Sequence, residues 1–208
     1  MYADGSLREY LAALASDAPE PGGGSAAAYV SALAAALGSM VCHFTVGRSA
    51  FAAQDAEMRA LLRRLDEIRG AAVDLVDQDA AAYRAYGAAR ALPRATDAER
   101  LARDSAIQAA LSDAVRVPLR IAVLAADALA LCEPLAERGN PRLLSDVGVA
   151  ALCAEAGLRS ALINVRVNLP ALKDDKLRAE CDAVMSRLVS GTRDLPRRLT
   201  EAIDRRQS

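Results

Sequence analysis

Tryptophan is absent from this 208-residue chain, aromatic side chains make up 3% of it, and histidine occurs once. With one histidine and four cysteines, at 42, 132, 153 and 181, in no short paired spacing, the chain has no donor set for a zinc site, and no metal is expected. The same spacing gives no disulfide framework, so reduced, buried thiols are expected. Lysine is nearly missing too: Lys173 and Lys176 are the two among 26 cations, and the 27 acidic residues leave a formal charge of -1. Without a basic excess there is no electrostatic footprint for nucleic acid. What fills the gap is alanine, 48 residues of it, the strongest helix former and a poor strand former. No stretch alternates polar and apolar residues with period two, and no internal repeat is present.

Charge is missing locally as well. The 27 residues between Glu20 and Arg48 carry none, long enough to cross a bilayer. They are Gly, Ala and Ser with scattered bulk at Val30, Leu33, Leu37, Met40, Val41 and Phe44. We read a helix that is apolar all round and buried at the centre of a bundle. The opening MYADGSLREY holds Asp4, Arg8 and Glu9 and lacks the basic and apolar regions of a secretory signal, so a cytoplasmic protein with no membrane partner is expected.

Helix punctuation divides the rest. Ser6 with Glu9, and Thr96 with Glu99, are capping boxes that open a short helix to about residue 16 and a long one from 97 to about Arg138, bent near Pro118. Ser25 is placed as the cap of the uncharged helix, which ends near Val46. Another long helix spans about 53 to Arg90. Further helices run from about Arg142 to Asn168, loosened at Gly148 and Gly157, and onward from Asp174 or Asp175, with bends at Gly191 and Pro196. The expectation is one all-α domain over residues 1–208, a bundle of about five to seven helices around a long uncharged one.

Three features stand out as candidates for chemistry. Met58, Leu61, Leu65, Ile68, Ala72, Leu75, position 79, Tyr83 and Tyr86 follow steps of three and four, and position 79 is Asp. A carboxylate on a core-facing stripe loses hydration, so it is either satisfied by an Arg or backbone amide, or it serves catalysis or ligand binding. Asp77 falls about 200° away around the helix and is expected to face water. Asn164 and Asn168, four apart among branched apolar residues, share a face and offer amide groups either to a heterocycle edge or to a neighbouring helix end. Gly22, Gly23 and Gly24 before Ser25 leave free backbone N–H groups for an anion, or form a plain tight turn. Gly139-Asn140 with Ser145-Asp146 reads equally as a helix stop and start.

Taken in order, PGGGSAAA at 21–28, MVCHFTVG at 40–47, DQDA at 77–80, ALPR at 91–94, GN at 139–140 with SDVGVAAL at 145–152, AGLRSA at 156–161 and NVRVN at 164–168 cover nearly the whole chain. Together they resemble the cyclodeaminase/cyclohydrolase family of one-carbon folate enzymes, which includes the cyclodeaminase half of formiminotransferase-cyclodeaminase and stand-alone methenyltetrahydrofolate cyclohydrolases. The resemblance implies a helical homodimer acting on a reduced folate, with no cofactor beyond that substrate. It implies Asp79 as the catalytic aspartate, Asn164 and Asn168 orienting the pterin or reacting amidine, Gly22, Gly23, Gly24 and Ser25 against the ligand, and Asn140 with Asp146 shaping the pocket. Arg48 and Arg94 stand where the family usually has lysines, and would hold the folate tail; His43 replaces a smaller polar residue. The expected activity is hydrolysis of 5,10-methenyltetrahydrofolate to 10-formyltetrahydrofolate, because no formiminotransferase segment is fused here. The alternatives are formiminotetrahydrofolate cyclodeaminase, which releases ammonia, and a non-catalytic folate-binding or dimerisation module.

Overall fold

The computed structural model describes residues 1–207, and among them there is no strand. Seven α-helices form: α1 (Leu7–Leu14), α2 (Gly23–His43), α3 (Asp55–Ala91), α4 (Asp97–Arg138), α5 (Leu144–Asn168), α6 (Asp175–Thr192) and α7 (Leu195–Gln207). Short 3-10 turns at Tyr2–Asp4, Ser49–Gln54, Pro141–Leu143 and Leu169–Ala171 join them. Both capping boxes are present, with the Ser6 and Thr96 hydroxyls accepting from the Glu9 and Glu99 amides. Pro118 and Pro134 both lie inside α4 without dividing it. Asp174 caps α6, its Oδ1 accepting from Leu177 N at 3.0 Å, and the helix is interrupted at Arg193 and Asp194, between Gly191 in the last turn of α6 and Pro196 in the first turn of α7.

One boundary is corrected. The uncharged helix starts at Gly23 with Gly22 as its N-cap, so Ser25 sits inside the first turn and is fully buried. Its hydroxyl does not close the helix end; it meets the Tyr10 hydroxyl at 3.2 Å. The triple glycine is therefore the helix start itself, which has consequences for the site.

α2, α3, α4 and α5 run alternately up and down. One apolar cluster joins Ala27 and Ala28 to Leu75, Ile121, Leu162 and Val165; the other joins Val41 and Cys42 to Met58, Leu135 and Val147. α2 packs on α3, α4 and α5, and its buried residues are mostly Ala, Gly and Ser. It is long and apolar enough to cross a bilayer, yet its Ser25, Ser31 and Ser39 are turned into the bundle. Small residues let the helix axes approach closely. A Cβ built on Gly157 of α5 would lie 2.3 Å from Ser31 Oγ and 3.3 Å from the Ala27 carbonyl oxygen, so Gly157 marks the α2–α5 crossing rather than a loosening of α5.

Gly157→Ala is therefore expected to cost about 1–3 kcal/mol of stability through overpacking. In urea denaturation, Ser31→Ala in the same chain should recover a large part of that loss, since it removes the clashing atom. A Gly157→Ala midpoint equal to wild type would contradict this account of the crossing.

Candidate active site

The start of α2, the second half of α3 and the end of α5 come together around one cavity of about 260 Å3. Its polar lining is Asp79, Glu20, Asn164, Asn168, Tyr83 and Tyr86, with Gly22, Gly23 and Gly24 along one wall. The α3 stripe explains the position of Asp79. Met58, Leu65, Ile68, Ala72 and Leu75 are fully or almost fully buried, and Asp79 follows one turn later, half-buried, where the core gives way to the cavity. The stripe does not continue inward past that turn: Tyr83 is 53% exposed and stands at the rim.

Asp79 lies against the first turn of α2. A Cβ on Gly24 would sit 2.1 Å from Asp79 Oδ1 and 2.5 Å from its Cγ, so only glycine lets the carboxylate approach this closely. The next residue, Ser25, donates its backbone N–H to that carboxylate. The positive end of α2 faces the group as well. Burial pushes the Asp79 carboxyl above its ordinary range, and the Ser25 hydrogen bond offsets part of the rise. Tyr10, a buried residue of α1, supports the turn from behind through Ser25 Oγ and stacks on Tyr29 at 5.3 Å between ring centres.

The two asparagines present one polarity. Asn164 Nδ2 donates to the Ser160 carbonyl and Asn168 Nδ2 to the Ala114 carbonyl, both at 2.9 Å. Their Oδ1 atoms are left to accept, and the Asn164 amide lies 3.8 Å from where a Gly23 Cβ would be. With Asp79 and Glu20, the side-chain wall is dominated by acceptors, which suits a ligand that is cationic or rich in N–H groups. Among the described residues no three His, Cys, Asp or Glu side chains are grouped as metal ligands.

Other sequence candidates are placed elsewhere. Ser25 lies behind the wall rather than on it, and contributes its amide to Asp79. Arg48 is exposed beyond the far end of α2, roughly 30 Å along a helix of 21 residues from the glycines. Asn140 is at that same far end, where its N–H meets Thr45 Oγ1 at 3.0 Å, its Nδ2 meets the Phe44 carbonyl at 3.2 Å, and its Oδ1 caps the turn to α5. Asp146 is in the first turn of α5, about 27 Å along that helix from Asn164. Arg94 lies in the loop after α3, in an open cleft with Arg90 and Arg103. Within one subunit, helix length keeps Arg48, Asn140 and Asp146 away from Asp79, while Arg94 lies past the C-terminal end of α3 and outside the cavity lining. Asp77 does not face open water: its Oδ1 accepts from Tyr2 N at 2.5 Å and its Oδ2 from Ala3 N at 3.2 Å, fastening the N-terminal turn to α3. Glu20, Tyr10, Tyr83 and Tyr86 were not singled out as lining or supporting residues; the signals available were the place of Tyr83 and Tyr86 on the stripe of Asp79 and that of Glu20 beside the glycine run.

The sequence matches the formiminotransferase-cyclodeaminase family profile over residues 6–187. The chain belongs to this family. It is 42% identical over 175 residues to a methenyltetrahydrofolate cyclohydrolase of Methylorubrum extorquens, covering 84% of each chain. It is 41% identical over 172 residues to the formimidoyltransferase-cyclodeaminase of Rattus norvegicus, covering 83% of this chain and 32% of that protein. The fold is similar to the crystal structure of a formiminotetrahydrofolate cyclodeaminase from Thermotoga maritima, with a TM-score of 0.88 and 26% identity over 98% of both chains.

The raised pKa of Asp79 fixes the sign of a stability effect. A carboxyl that holds its proton more tightly folded than unfolded stabilises the fold below the ordinary carboxylate range, and that contribution is lost as pH rises through the raised value. Wild-type protein near neutral pH thus carries an ionised, partly desolvated group that the isosteric amide lacks. Asp79→Asn should melt at or above wild type at about pH 7.5, with the difference closing towards about pH 4. A calorimetric scan in which the variant melts several degrees lower at the higher pH would refute this reading.

Proposed function

We propose that the chain hydrolyses the amidinium bridge of 5,10-methenyltetrahydrofolate, giving 10-formyltetrahydrofolate, in the cytoplasm and with no cofactor beyond the folate. The observation that carries this reading is a desolvated carboxylate, Asp79, on the wall of an acceptor-lined cavity. The methenyl bridge is a delocalised cation, which such a wall stabilises. Water adds to the bridging carbon while Asp79 takes its proton. The resulting tetrahedral carbon then releases N5, to which Asp79 returns that proton as the C–N5 bond breaks; the hydroxyl gives up its remaining proton to solvent as the C=O forms, and the formyl group stays on N10. Burial raises the Asp79 pKa towards the operating pH, which makes the group better suited to taking and returning a proton than an ordinary exposed carboxylate. The even coverage of the cyclohydrolase relative supports this assignment.

Ring closure of 5-formiminotetrahydrofolate is the second reading, supported by the whole-chain likeness to the cyclodeaminase fold. There N10 attacks the formimino carbon, the tetrahedral adduct expels its protonated amino group as ammonia, and the same methenyl cation is the product. Incubation with each folate separates the cases: faster loss of the methenyl absorbance supports the first, ammonia release the second, and neither leaves a non-catalytic folate-binding or dimerisation module. In the active assay Asp79→Asn is expected to lower turnover on the order of a hundredfold or more. Gly24→Ala should fall in the same direction by displacing the carboxylate, whereas Asp77→Asn, whose amide oxygen can still accept from the Tyr2 N–H, should lose far less. Equal losses at 77 and 79 would remove Asp79 from the mechanism.

A homodimer is part of this proposal. α2 and α5 expose adjoining uncharged faces carrying Leu33 and Phe44 on one helix and Val149, Leu152, Ile163 and Val167 on the other; Leu152 is 68% and Val167 72% exposed. Charge-free stripes of this size on neighbouring helices fit a self-complementary interface. A two-fold axis across the middle of the α2–α5 pair would bring the partner's far helix ends over the cavity, giving Arg48, Asn140 and Asp146 a place beside the ligand. Light scattering should return twice the mass of 21.8 kDa, and Leu152→Arg should yield a folded monomer with reduced turnover. A monomeric wild type would overturn the arrangement.

A further inference from the structure

We propose that Glu20 is a specificity residue: it accepts the paired N–H donors of the ligand's aminopyrimidinone edge, the ring N–H and the adjoining amino group of a pterin. This inference rests on the folate reading above and adds to it which end of the ligand the second carboxylate holds. Glu20 lines the same cavity as Asp79, immediately before the glycine wall. Its Oε1 is held by Arg84, while Oε2 is shut off from solvent and has no hydrogen-bond partner among the described residues. A buried carboxylate oxygen without a donor is unfavourable, and a protein that has no use for it gains by exposing or pairing it. The Arg84 contact does not supply the reason, because it engages Oε1 alone and leaves Oε2 unsatisfied.

The terminal torsion of a glutamate is soft, so Oε2 can turn towards the cavity while Arg84 keeps Oε1 and holds the charge. A carboxylate then offers two parallel acceptors, the same fork that recognises a guanidinium. The pterin edge offers two parallel donors. The remaining polar side chains of the wall do not duplicate this role: Asn164 and Asn168 each offer one acceptor, Tyr83 and Tyr86 each carry a single hydroxyl, and Asp79 is committed to the Ser25 amide and the glycine turn. The cavity volume, about 260 Å3, is below the roughly 300–1,000 Å3 of sites that enclose a whole drug-sized molecule, so it suits the ring end of a folate with the rest outside.

The test is titration calorimetry of tetrahydrofolate, and of its 2-desamino-2-methyl counterpart, into wild type, Glu20→Gln, Glu20→Ala and Arg84→Gln, with kcat and KM measured on methenyltetrahydrofolate. Glu20→Gln and Glu20→Ala should weaken tetrahydrofolate binding about 10- to 100-fold, the range expected for losing a hydrogen bond to a charged group, and raise KM by a similar factor with kcat nearly unchanged. The desamino compound should bind wild type weakly and the Glu20 variants no worse. Arg84→Gln leaves Glu20 in place and should show a smaller loss confined to tetrahydrofolate, which keeps the idea testable if a Glu20 variant does not fold. Unchanged affinity in both Glu20 variants, equal losses for both compounds, or a fall in kcat at constant KM overturns it. Turnover by wild type without a Glu20 effect removes this contact alone. Glu20-dependent binding without turnover of either folate removes the catalytic reading alone, and no binding of tetrahydrofolate removes both.

Discussion

The approach of the Asp79 carboxylate to the bare first turn of α2 is the contact on which the site depends. A side chain on Gly24 would occupy the same space as the carboxylate oxygens. With glycine there, an acid that is expensive to bury receives a backbone N–H from Ser25 and the positive end of a 21-residue helix. The balance is not complete: burial still outweighs those contacts, and the group keeps a raised proton affinity. On the proposed mechanism that residual imbalance suits the group to taking up a proton, since a fully satisfied carboxylate would be a weaker base.

The same demand for closeness runs through the bundle. α2 buries Ala, Ser and Gly where most core helices bury larger side chains, and Gly157 brings α5 to within contact of Ser31 and the Ala27 carbonyl. Close axes align the start of α2 with the end of α5 and the latter half of α3, and so set Asn164, Asn168 and Asp79 on one cavity. The N-terminal segment is tied to this arrangement from outside, through Asp77 to the amides of Tyr2 and Ala3 and through Tyr10 to Ser25. Residues that look peripheral in the chain thus stiffen the wall that holds the acid.

Much of the site was legible because it follows from local rules. A helical period of three to four put position 79 on the apolar stripe of α3, and the four-residue step between Asn164 and Asn168 put both on one face. The glycine run was visible as a special backbone, but Ser25 was read as a cap by residue type, whereas the cap falls three residues earlier, at Gly22, because glycine tolerates the crowded turn. Glu20 carried no signal beyond its place beside the glycine run, since nothing in a single acidic residue before a proline reports that one of its oxygens will be enclosed. Arg48, Asn140 and Asp146 carry motif resemblance yet lie at other ends of long helices, and Arg94 lies in the loop past α3, a separation that motif order along a chain does not express.

By itself, then, the chain's order of residues determined an all-helical bundle, its capping boxes, the inward register of Asp79 and the family to which the motifs point. These depend on interactions spanning a few residues, which composition and spacing encode directly. Which helix ends meet, which acceptors face the cavity and which candidates are carried some 30 Å away were decided only by tertiary packing. The physical reason is that those outcomes turn on how closely α2, α3 and α5 can approach, and that distance is set by contacts between residues far apart in the chain.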